Sequence, residues 1–280
     1  MSQRLRLAAE LRRLRMSAGL SGYELARRLS LSQTKVSRIE TGRKTPSADE
    51  VRAWGEATGA SGEGLARLLE QADSALTEVA TLRVILRQGI AEKQRQVGAL
   101  EATASTIRTF QPVLVPGLLQ TADYARRIFT SIDLPGRLDV AAATAARVER
   151  QAVLYDQAKR FEFLIGEAAL RWGFGPRETL WTQLDRLRSL STLPNLIVGI
   201  IPFDAELAAW HSHGFAIFDD REDDLDPFVV VETLTAELTV TELNDVAVYQ
   251  EAFARLRHVA LFDAEAEALL SQIMRAPGAS

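Results

Sequence analysis

The sequence predicts a mainly α-helical N-terminal domain of five helices, followed by an α+β C-terminal domain. Over residues 1–72, apolar side chains recur at the 3.6-residue spacing of amphipathic helices. Beyond residue 160, runs of β-branched and aromatic residues alternate with helical patterns. We therefore expect a helical domain at residues 1–72, a connecting helix at residues 73–109, and an α+β domain at residues 110–280.

Charge is distributed unevenly along the chain. Residues 1–52 contain 12 Lys and Arg against 5 Asp and Glu, whereas the whole chain contains 33 against 37. A basic N-terminal module on an acidic body favours contact between that module and a polyanion. A solvated arginine-rich helix is the alternative interpretation of the same asymmetry.

The composition is that of an ordinary globular protein, and it excludes several kinds of site. Of 280 residues, 47% are hydrophobic and 25% are charged. Because the chain has no cysteine, it cannot form disulfides, thiolate metal sites or cysteine nucleophiles. No apolar run reaches the roughly 18 residues that a membrane span needs. The N-terminus lacks the apolar core of a signal peptide, so we expect a cytoplasmic protein.

Residues 20–46, LSGYELARRLSLSQTKVSRIETGRKTP, predict two short helices joined by a tight turn. A helix over residues 5–18 precedes them. Ser21-Gly22-Tyr23-Glu24 has the spacing of a capping box at the start of the second helix. Ser47-Ala48-Asp49-Glu50 is a second capping box that opens a fourth helix, and a fifth is expected over residues 63–70.

The third helix is expected to have a distinct inner and outer side. Ser32 caps it, and Val36 and Ile39, three residues apart, point inward. The remaining side chains face out: Gln33, Thr34, Lys35, Ser37 and Arg38. Gln pairs bidentately with adenine and Arg with guanine. Hydroxyl and ammonium groups suit phosphate, and the candidates for such contacts are Ser21, Ser32, Lys35, Arg43 and Lys44.

This segment resembles the Xre/Cro-type helix-turn-helix family of transcriptional regulators, which has the five-helix, lambda-repressor-like fold. The pattern LSxxELAxxLxxSxxxVSxIExG carries the resemblance, which covers residues 4–70. The resemblance implies that the third helix reads the major groove of double-stranded DNA. The base contacts that it implies are Gln33, Thr34, Ser37 and Arg38. It also implies a structural ion pair between Arg15 and Glu40. A helix-turn-helix that binds only protein is the alternative.

Two positions depart from the family pattern. Gly22 stands where members often have a glutamine whose amide contacts phosphate, so that contact is missing here. Ser30 stands where the turn often has glycine, so we expect an unusual backbone conformation at Ser30.

Residues 74–109 carry an apolar repeat of 3.5 residues, which predicts the connecting helix. Arg83 and Lys93 interrupt the repeat, and Gly89 and Gly98 lie within it. Either this helix helps the protein to dimerise, or one or two amphipathic helices pack on their own domain.

The C-terminal body is expected to combine helices and strands. Two prolines in FQPVLVPGLL exclude a regular helix before Pro116. The expected helices cover Pro116 to Phe129, Asp139 to Lys159, Pro176 to Leu190, Asp245 to Leu261 and the region of Ile273. The expected strands are Phe161 to Ile165, Leu196 to Ile201, Phe215 to Phe218, Phe228 to Glu232 and Glu237 to Val240.

The body resembles the C-terminal domain of actinobacterial WhiJ-like regulators, often described as antitoxin-like. Three runs carry the resemblance: ALEATASTIRTFQPVLVPGLLQTADYARRIF, LPNLIVGIIPF and VVVETLTAELTV. VPGLLQT is its most specific signature. The resemblance implies that the body binds a small BldB-like partner protein encoded nearby and that it takes part in dimerisation. It implies neither an agreed small-molecule ligand nor a chemical activity.

Three groups of side chains have the chemistry of a site, but we favour a structural interpretation of each. His211 and His213 could be metal ligands, yet a surface loop is favoured. A solvated loop is favoured over a cation site for Glu222, Asp223, Asp224 and Asp226. Core packing is favoured over a ligand pocket for Trp172, Phe174 and Trp181. No phosphate-loop, nucleophile-elbow or zinc-protease motif occurs, so we expect no enzyme, no cofactor and no metal.

Together these observations predict a dimeric, sequence-specific DNA-binding regulator that recognises a palindromic operator and acts as a repressor or autoregulator. One alternative is an antitoxin-like interaction protein that sequesters a small partner. Another is a sensor whose body binds a small molecule and thereby shifts the DNA-binding state.

Overall fold

The computed structural model describes residues 3–42, 44–81, 89–133, 136, 138–172, 175–206, 213–219, 226–233 and 235–275. The chain forms two compact units, each assembled from separate stretches of sequence. The first unit comprises Met1–Val79, Asp224–Phe228 and Leu238–Val246. The second unit comprises Ala80–Asp223, Val229–Glu237 and Ala247–Ser280.

The predicted fold class, a helical N-terminal region followed by an α+β region, is confirmed. Within residues 3–42 and 44–81 the helices are α1 (Gln3–Ser17), α2 (Gly22–Arg28), α3 (Gln33–Glu40), α4 (Ala48–Ala57) and α5 (Glu63–Leu76). The later helices are α6 (Ile90–Thr103), α7 (Ala122–Ile132), α8 (Val140–Arg150), α9 (Glu167–Arg171), α10 (Arg177–Leu190), α11 (Leu243–His258) and α12 (Asp263–Arg275). Over the described residues, no helix is both long and apolar enough to cross a membrane.

The core of the first unit lies beneath α3. Its apolar members come mostly from α1 to α5 and include Leu7, Leu11, Leu25, Val36, Ile39, Trp54 and Leu68. The Trp54 indole is fully buried, and its Nε1 donates to the carbonyl of Leu11 at 3.2 Å. That bond satisfies the polar group of a large buried side chain and ties α4 to α1.

Over the described residues, the strands form one mixed sheet of seven. They are β1 (Thr77–Thr81), β2 (Thr106–Gln111), β3 (Arg160–Gly166), β4 (Leu196–Ile201), β5 (Phe215–Asp219), β6 (Phe228–Glu232) and β7 (Ala236–Val240). Their order is β1-β7-β6-β5-β2-β3-β4. β2 pairs in parallel with β3 and antiparallel with β5, so that Phe110 lies opposite both Leu164 and Phe215. The five predicted strands correspond to β3 through β7.

The prediction of a connecting helix over residues 73–109 is wrong. α5 ends at Leu76 and β1 follows it directly, whereas α6 ends at Thr103 and β2 begins at Thr106. Arg83 and part of the expected repeat lie outside the described residues. Ile107 and Phe110 are buried in the middle of the sheet. Pairing with two neighbouring strands therefore decides the conformation of this segment against its helical spacing.

Two other expectations need correction. The helix expected from Asp139 to Lys159 stops at Arg150 and continues as a 3₁₀ helix, Gln151–Tyr155. The assignment of the tryptophans to the core is also wrong, because Trp172 is 58% and Trp181 is 38% exposed. Phe174 lies outside the described residues.

Candidate nucleic-acid interface

Helix α2 begins at a complete capping box. Ser21 Oγ accepts from the Glu24 amide at 3.2 Å, and the Ser21 amide donates to Glu24 Oε2 at 2.8 Å. The bond from the Ser21 amide holds the pKa of Glu24 below its ordinary value. Both predicted boxes are present, since Ser47 and Glu50 exchange the same two bonds at the start of α4. These reciprocal bonds fix where α2 and α4 start.

The turn between α2 and α3 has the conformation that the sequence predicted. Ser30 has a φ of +54°, in the left-handed region where glycine is preferred. The amide of Leu31 then donates to the carbonyl of Ala26 at 2.9 Å. Ser32 follows as the N-cap of α3, and its Oγ accepts from the Lys35 amide at 3.1 Å. The turn thus sets the direction in which α3 leaves α2.

Helix α3 buries one side and exposes the other. Val36 and Ile39 are fully buried in the core of the first unit. Of the four predicted base contacts, three are exposed: Gln33, Thr34 and Ser37. The fourth, Arg38, is half-buried. These four residues occupy two adjacent i, i+4 rows and therefore form one continuous outer face.

Arg15 of α1 and Glu40 of α3 form a bidentate ion pair behind this face. Arg15 Nε lies 2.5 Å from Glu40 Oε1, and its Nη2 lies 2.8 Å from Oε2. The third guanidinium contact is a bond from Nη1 to the Leu20 carbonyl at 2.7 Å. Only 14% of the Arg15 side chain and 9% of the Glu40 side chain are exposed. The hydrogen bonds to Glu40 raise the pKa of the Arg15 guanidinium above its ordinary value.

The two serines proposed as phosphate contacts are exposed N-caps. Their oxygens accept from the amides of Glu24 and Lys35, and their hydroxyl hydrogens remain available as donors. Both can therefore cap a helix and donate to a phosphate at the same time.

Two of the cations proposed as phosphate contacts, Lys35 and Lys44, already form ion pairs with carboxylates. Lys35 pairs with Oε1 of Glu50, whose other oxygen belongs to the α4 capping box. Lys44 pairs with Asp226, which belongs to the same compact unit. Arg43 lies outside the described residues. Sequence reasoning missed both carboxylate partners, because neither local spacing nor periodicity relates residue 35 to 50 or residue 44 to 226.

The other candidate sites do not assemble among the described residues. His211 lies outside them, and His213 Nε2 lies 3.4 Å from the Tyr249 hydroxyl. Glu222, Asp223 and Asp224 lie outside them as well. Over the part of the chain that the structure describes, no group of three or more His, Cys, Asp or Glu residues is arranged to hold a metal ion.

In the second unit, the VPGLLQT segment at residues 115–121 is a centre of buried hydrogen bonds. The side-chain amide of Gln120 donates back into the segment at 2.7 Å, and its oxygen accepts from Arg147 Nη1 at 2.8 Å. Gln183 Nε2 donates to the Leu119 carbonyl at 2.8 Å. The segment thereby joins α8 and α10, so its polar residues have packing partners already.

An ion pair lies next to this segment, between α6 and α8. Arg150 Nη1 donates to Glu101 Oε1 at 2.8 Å, and a β-carbon at Gly117 would collide with the Arg150 guanidinium. Burial raises the pKa of Glu101 to about 7, because its effect is larger than that of the attraction to Arg150 and Arg147, which lowers the pKa. Burial, followed by the repulsion of Arg150, lowers the pKa of Arg147 to about 10.

Two protein-family models match the chain. A helix-turn-helix domain model matches residues 6–68, which include the whole of α2, α3 and α4. A model described as a domain of unknown function, DUF5753, matches residues 94–272. No curated protein matches the chain.

One solved structure that aligns with the chain is that of TrmBL2, described as an archaeal chromatin protein with a novel mode of DNA binding. The two are 12% identical, with a TM-score of 0.33, and the alignment covers 67% of this chain. The chain spans about half, 53%, of the length of TrmBL2. A likeness this low bears on neither the fold nor the function.

Proposed function

The chain belongs to the DUF5753 family and carries a helix-turn-helix domain before that region, and we propose that it is a sequence-specific DNA-binding transcriptional regulator. The observation that carries the proposal is the outer face of α3. Three exposed polar side chains and Arg38 lie on a helix whose opposite side is locked into a core. A rigid base matters because a base contact requires accurate placement of its donors and acceptors.

The size and chemistry of α3 fit the major groove. An α-helix with its side chains is about 10–12 Å across, close to the width of that groove, and α3 has eight residues. Gln33 would pair with adenine and Arg38 with guanine, while Thr34 and Ser37 would contact base edges or phosphate.

The proposal in its finer form is an Xre/Cro-type regulator that acts as a homodimer. A two-fold dimer would place two α3 helices about 34 Å apart on a palindromic operator. Sedimentation of the full chain with and without operator measures whether the dimer forms. If the protein binds a single half-site as a monomer, the proposed palindromic operator is wrong.

Selection of bound duplexes from a random-sequence library, with the full chain as bait, tests the function itself. We expect enrichment of one palindromic sequence by the wild type and relaxed preference at one position of each half-site by Arg38→Ala. Arg255→Ala is the matched control, since it removes an exposed arginine of α11. If no sequence is enriched, the proposal of sequence-specific binding is wrong.

The regulatory part of the proposal is repression or autoregulation, in the manner of the actinobacterial WhiJ-like regulators that the body resembles. It places the protein in the cytoplasm with the DNA, and it includes no catalytic step. Mapping of bound chromosomal sites together with transcript levels in a deletion strain gives the sign of regulation. Lower transcription of the bound genes in the deletion strain would make it an activator.

A second candidate function is that of an antitoxin-like interaction protein, and exposed aromatic side chains of the second unit favour it. Trp172 directly follows α9, and the amide of Phe203 donates to Glu167 at the other end of that helix. The two side chains are 58% and 68% exposed. Exposed aromatic residues are enriched where proteins bind one another.

The resemblance to WhiJ-like regulators implies a small BldB-like partner encoded nearby, and co-expression with such a protein tests this candidate. We expect a stable complex that alters operator affinity, and we expect Trp172→Ala with Phe203→Ala to weaken it. Val248→Ala is the control, because it truncates an exposed apolar side chain elsewhere, on α11. No complex between the purified proteins would count against the candidate.

A third candidate, a small-molecule sensor, is favoured by a surface cavity of about 510 Å³ between α6 and α8. Its lining is mostly small and charged, and it includes Arg95, Gly98, Glu149, Arg150 and Lys159. A metabolite screen by thermal shift tests it, and an unchanged melting temperature throughout would count against it.

A further inference from the structure

Lys44, just beyond α3, has its charge satisfied by a carboxylate that is distant in sequence. Lys44 Nζ lies 2.8 Å from one oxygen of Asp226 and 3.0 Å from the other. Only 13% of the lysine side chain is exposed, although a lysine normally keeps its ammonium group in water. Both residues belong to the first compact unit.

The backbone attaches this lysine to the recognition helix. The amide of Lys44 donates to the carbonyl of Arg38 at 3.2 Å, and Thr41 Oγ1 donates to the same carbonyl. The backbone of Lys44 is therefore fixed at the end of α3, where a helix in the major groove would have DNA backbone beside it.

Asp226 gives Lys44 the chemistry that a phosphate group would give it. Two anionic oxygens face one ammonium group at the distances of charge-assisted hydrogen bonds. The Asp226 side chain is 36% exposed, so water and other anions can reach the pair. The sequence places three more acidic residues within four positions before Asp226.

We propose that Asp226 is an internal competitor of DNA, which occupies Lys44 in the free protein and must be displaced before that lysine contacts a phosphate. The inference rests on the proposed DNA-binding function. Because the competitor acts on a sequence-independent contact, it weakens binding to generic DNA and leaves the base preference of α3 unchanged.

Salt dependence distinguishes this exchange from an ordinary lysine contact. A lysine that neutralises a phosphate releases a condensed counterion, which steepens the dependence of affinity on salt by about 0.9 in logarithmic slope. When the lysine first has to leave Asp226, added salt also screens and weakens the ion pair that must be broken, so the dependence of affinity on salt becomes shallower. Removing the Asp226 charge should restore the full slope.

Titration of a labelled random-sequence duplex with the full chain over a series of salt concentrations tests the proposal. We expect Asp226→Asn to bind about fivefold more tightly than the wild type at low salt, with a slope steeper by up to about 0.9. Asp226→Glu keeps the charge and should resemble the wild type. Glu265→Gln removes an exposed carboxylate of α12 and controls for the change in net charge.

A double-mutant cycle assigns the effect to the pair. In a Lys44→Gln background, Asp226→Asn should no longer change affinity or slope. If the wild type binds DNA and Asp226→Asn binds equally well or more weakly, the pair positions Lys44 and the proposal is wrong. If no variant binds any duplex, the proposed function itself fails, which is a separate outcome. Thermal unfolding of each variant shows that the compared proteins are folded.

Discussion

Replacing Glu40 with Ala tests whether its ion pair with Arg15 braces the recognition helix. Removing one partner of a buried pair costs about 3–5 kcal/mol, whereas an exposed pair contributes about 0.2–1 kcal/mol. Both side chains are largely buried, but the Arg15 guanidinium would keep its bond to the Leu20 carbonyl. We therefore expect α3 to lose about 2–3 kcal/mol of local stability.

Amide hydrogen exchange of the full chain is the assay, because it reports the opening of α3 without assuming that both units unfold together. A loss of this size predicts exchange about 30- to 150-fold faster over residues 33–40. The double variant Arg15→Met with Glu40→Leu replaces the pair by apolar side chains of similar size and should recover most of the protection. Glu10→Ala, which breaks only the exposed pair with Arg13, is the control and should change little.

Two results would refute this reasoning. If α3 in the Glu40→Ala variant exchanges within about twofold of the wild type, the pair contributes no more than a surface pair does. If protection falls equally in α3 and in α5, the pair supports the whole unit, and the idea of a local brace is wrong.

Three further predictions concern the turn, the outer face of α3 and the second unit. Arg38→Ala should make the free energy of binding to the preferred base pair less favourable by about 1–3 kcal/mol relative to the other base pairs, as measured by competition among single-base operator variants. Equal weakening on all of these variants would make Arg38 a phosphate contact. Ser30→Gly should raise the free energy of unfolding in urea by about 0.5–1 kcal/mol, because Ser30 has a φ of +54°, whereas Ser30→Ala should bring no gain. The pKa of Glu101 rises from 4.5 to about 7 on folding, so the folded chain keeps a proton that the unfolded chain loses. The free energy of unfolding should therefore fall by up to about 3 kcal/mol between pH 4.5 and 7, and Glu101→Gln should flatten that decline in urea titrations across the window.

The N-terminal helices could be predicted from sequence because their signals are local. The capping boxes at Ser21 and Ser47 and the turn at Ser30 each depend on residues within a few positions of one another. The buried side of α3 follows from the spacing of Val36 and Ile39. Local chemistry of this kind fixes where each helix starts and which side it buries.

The remaining features depend on partners that are far away in sequence. The stretch Thr106–Gln111 does contain β-branched and aromatic residues, but the apolar repeat before it extends through the same positions. Only the strands on either side of it, β3 and β5, make it a strand. The carboxylate partner of Lys44 is likewise 182 positions away, and no pattern within a helix or strand identifies it.

The discontinuous first unit has a consequence for the order in which the protein is made. Its first stretch ends at Val79 and its next begins at Asp224, so the ribosome adds roughly 145 residues between them. At about 5–20 residues per second, this takes on the order of ten seconds, far longer than short helices with local contacts need to form. Throughout that interval the nascent chain has α3 and Lys44 but has not yet acquired Asp226. If the carboxylate competes with DNA, the unfinished chain holds generic DNA more tightly than the finished protein does, and completing synthesis releases it.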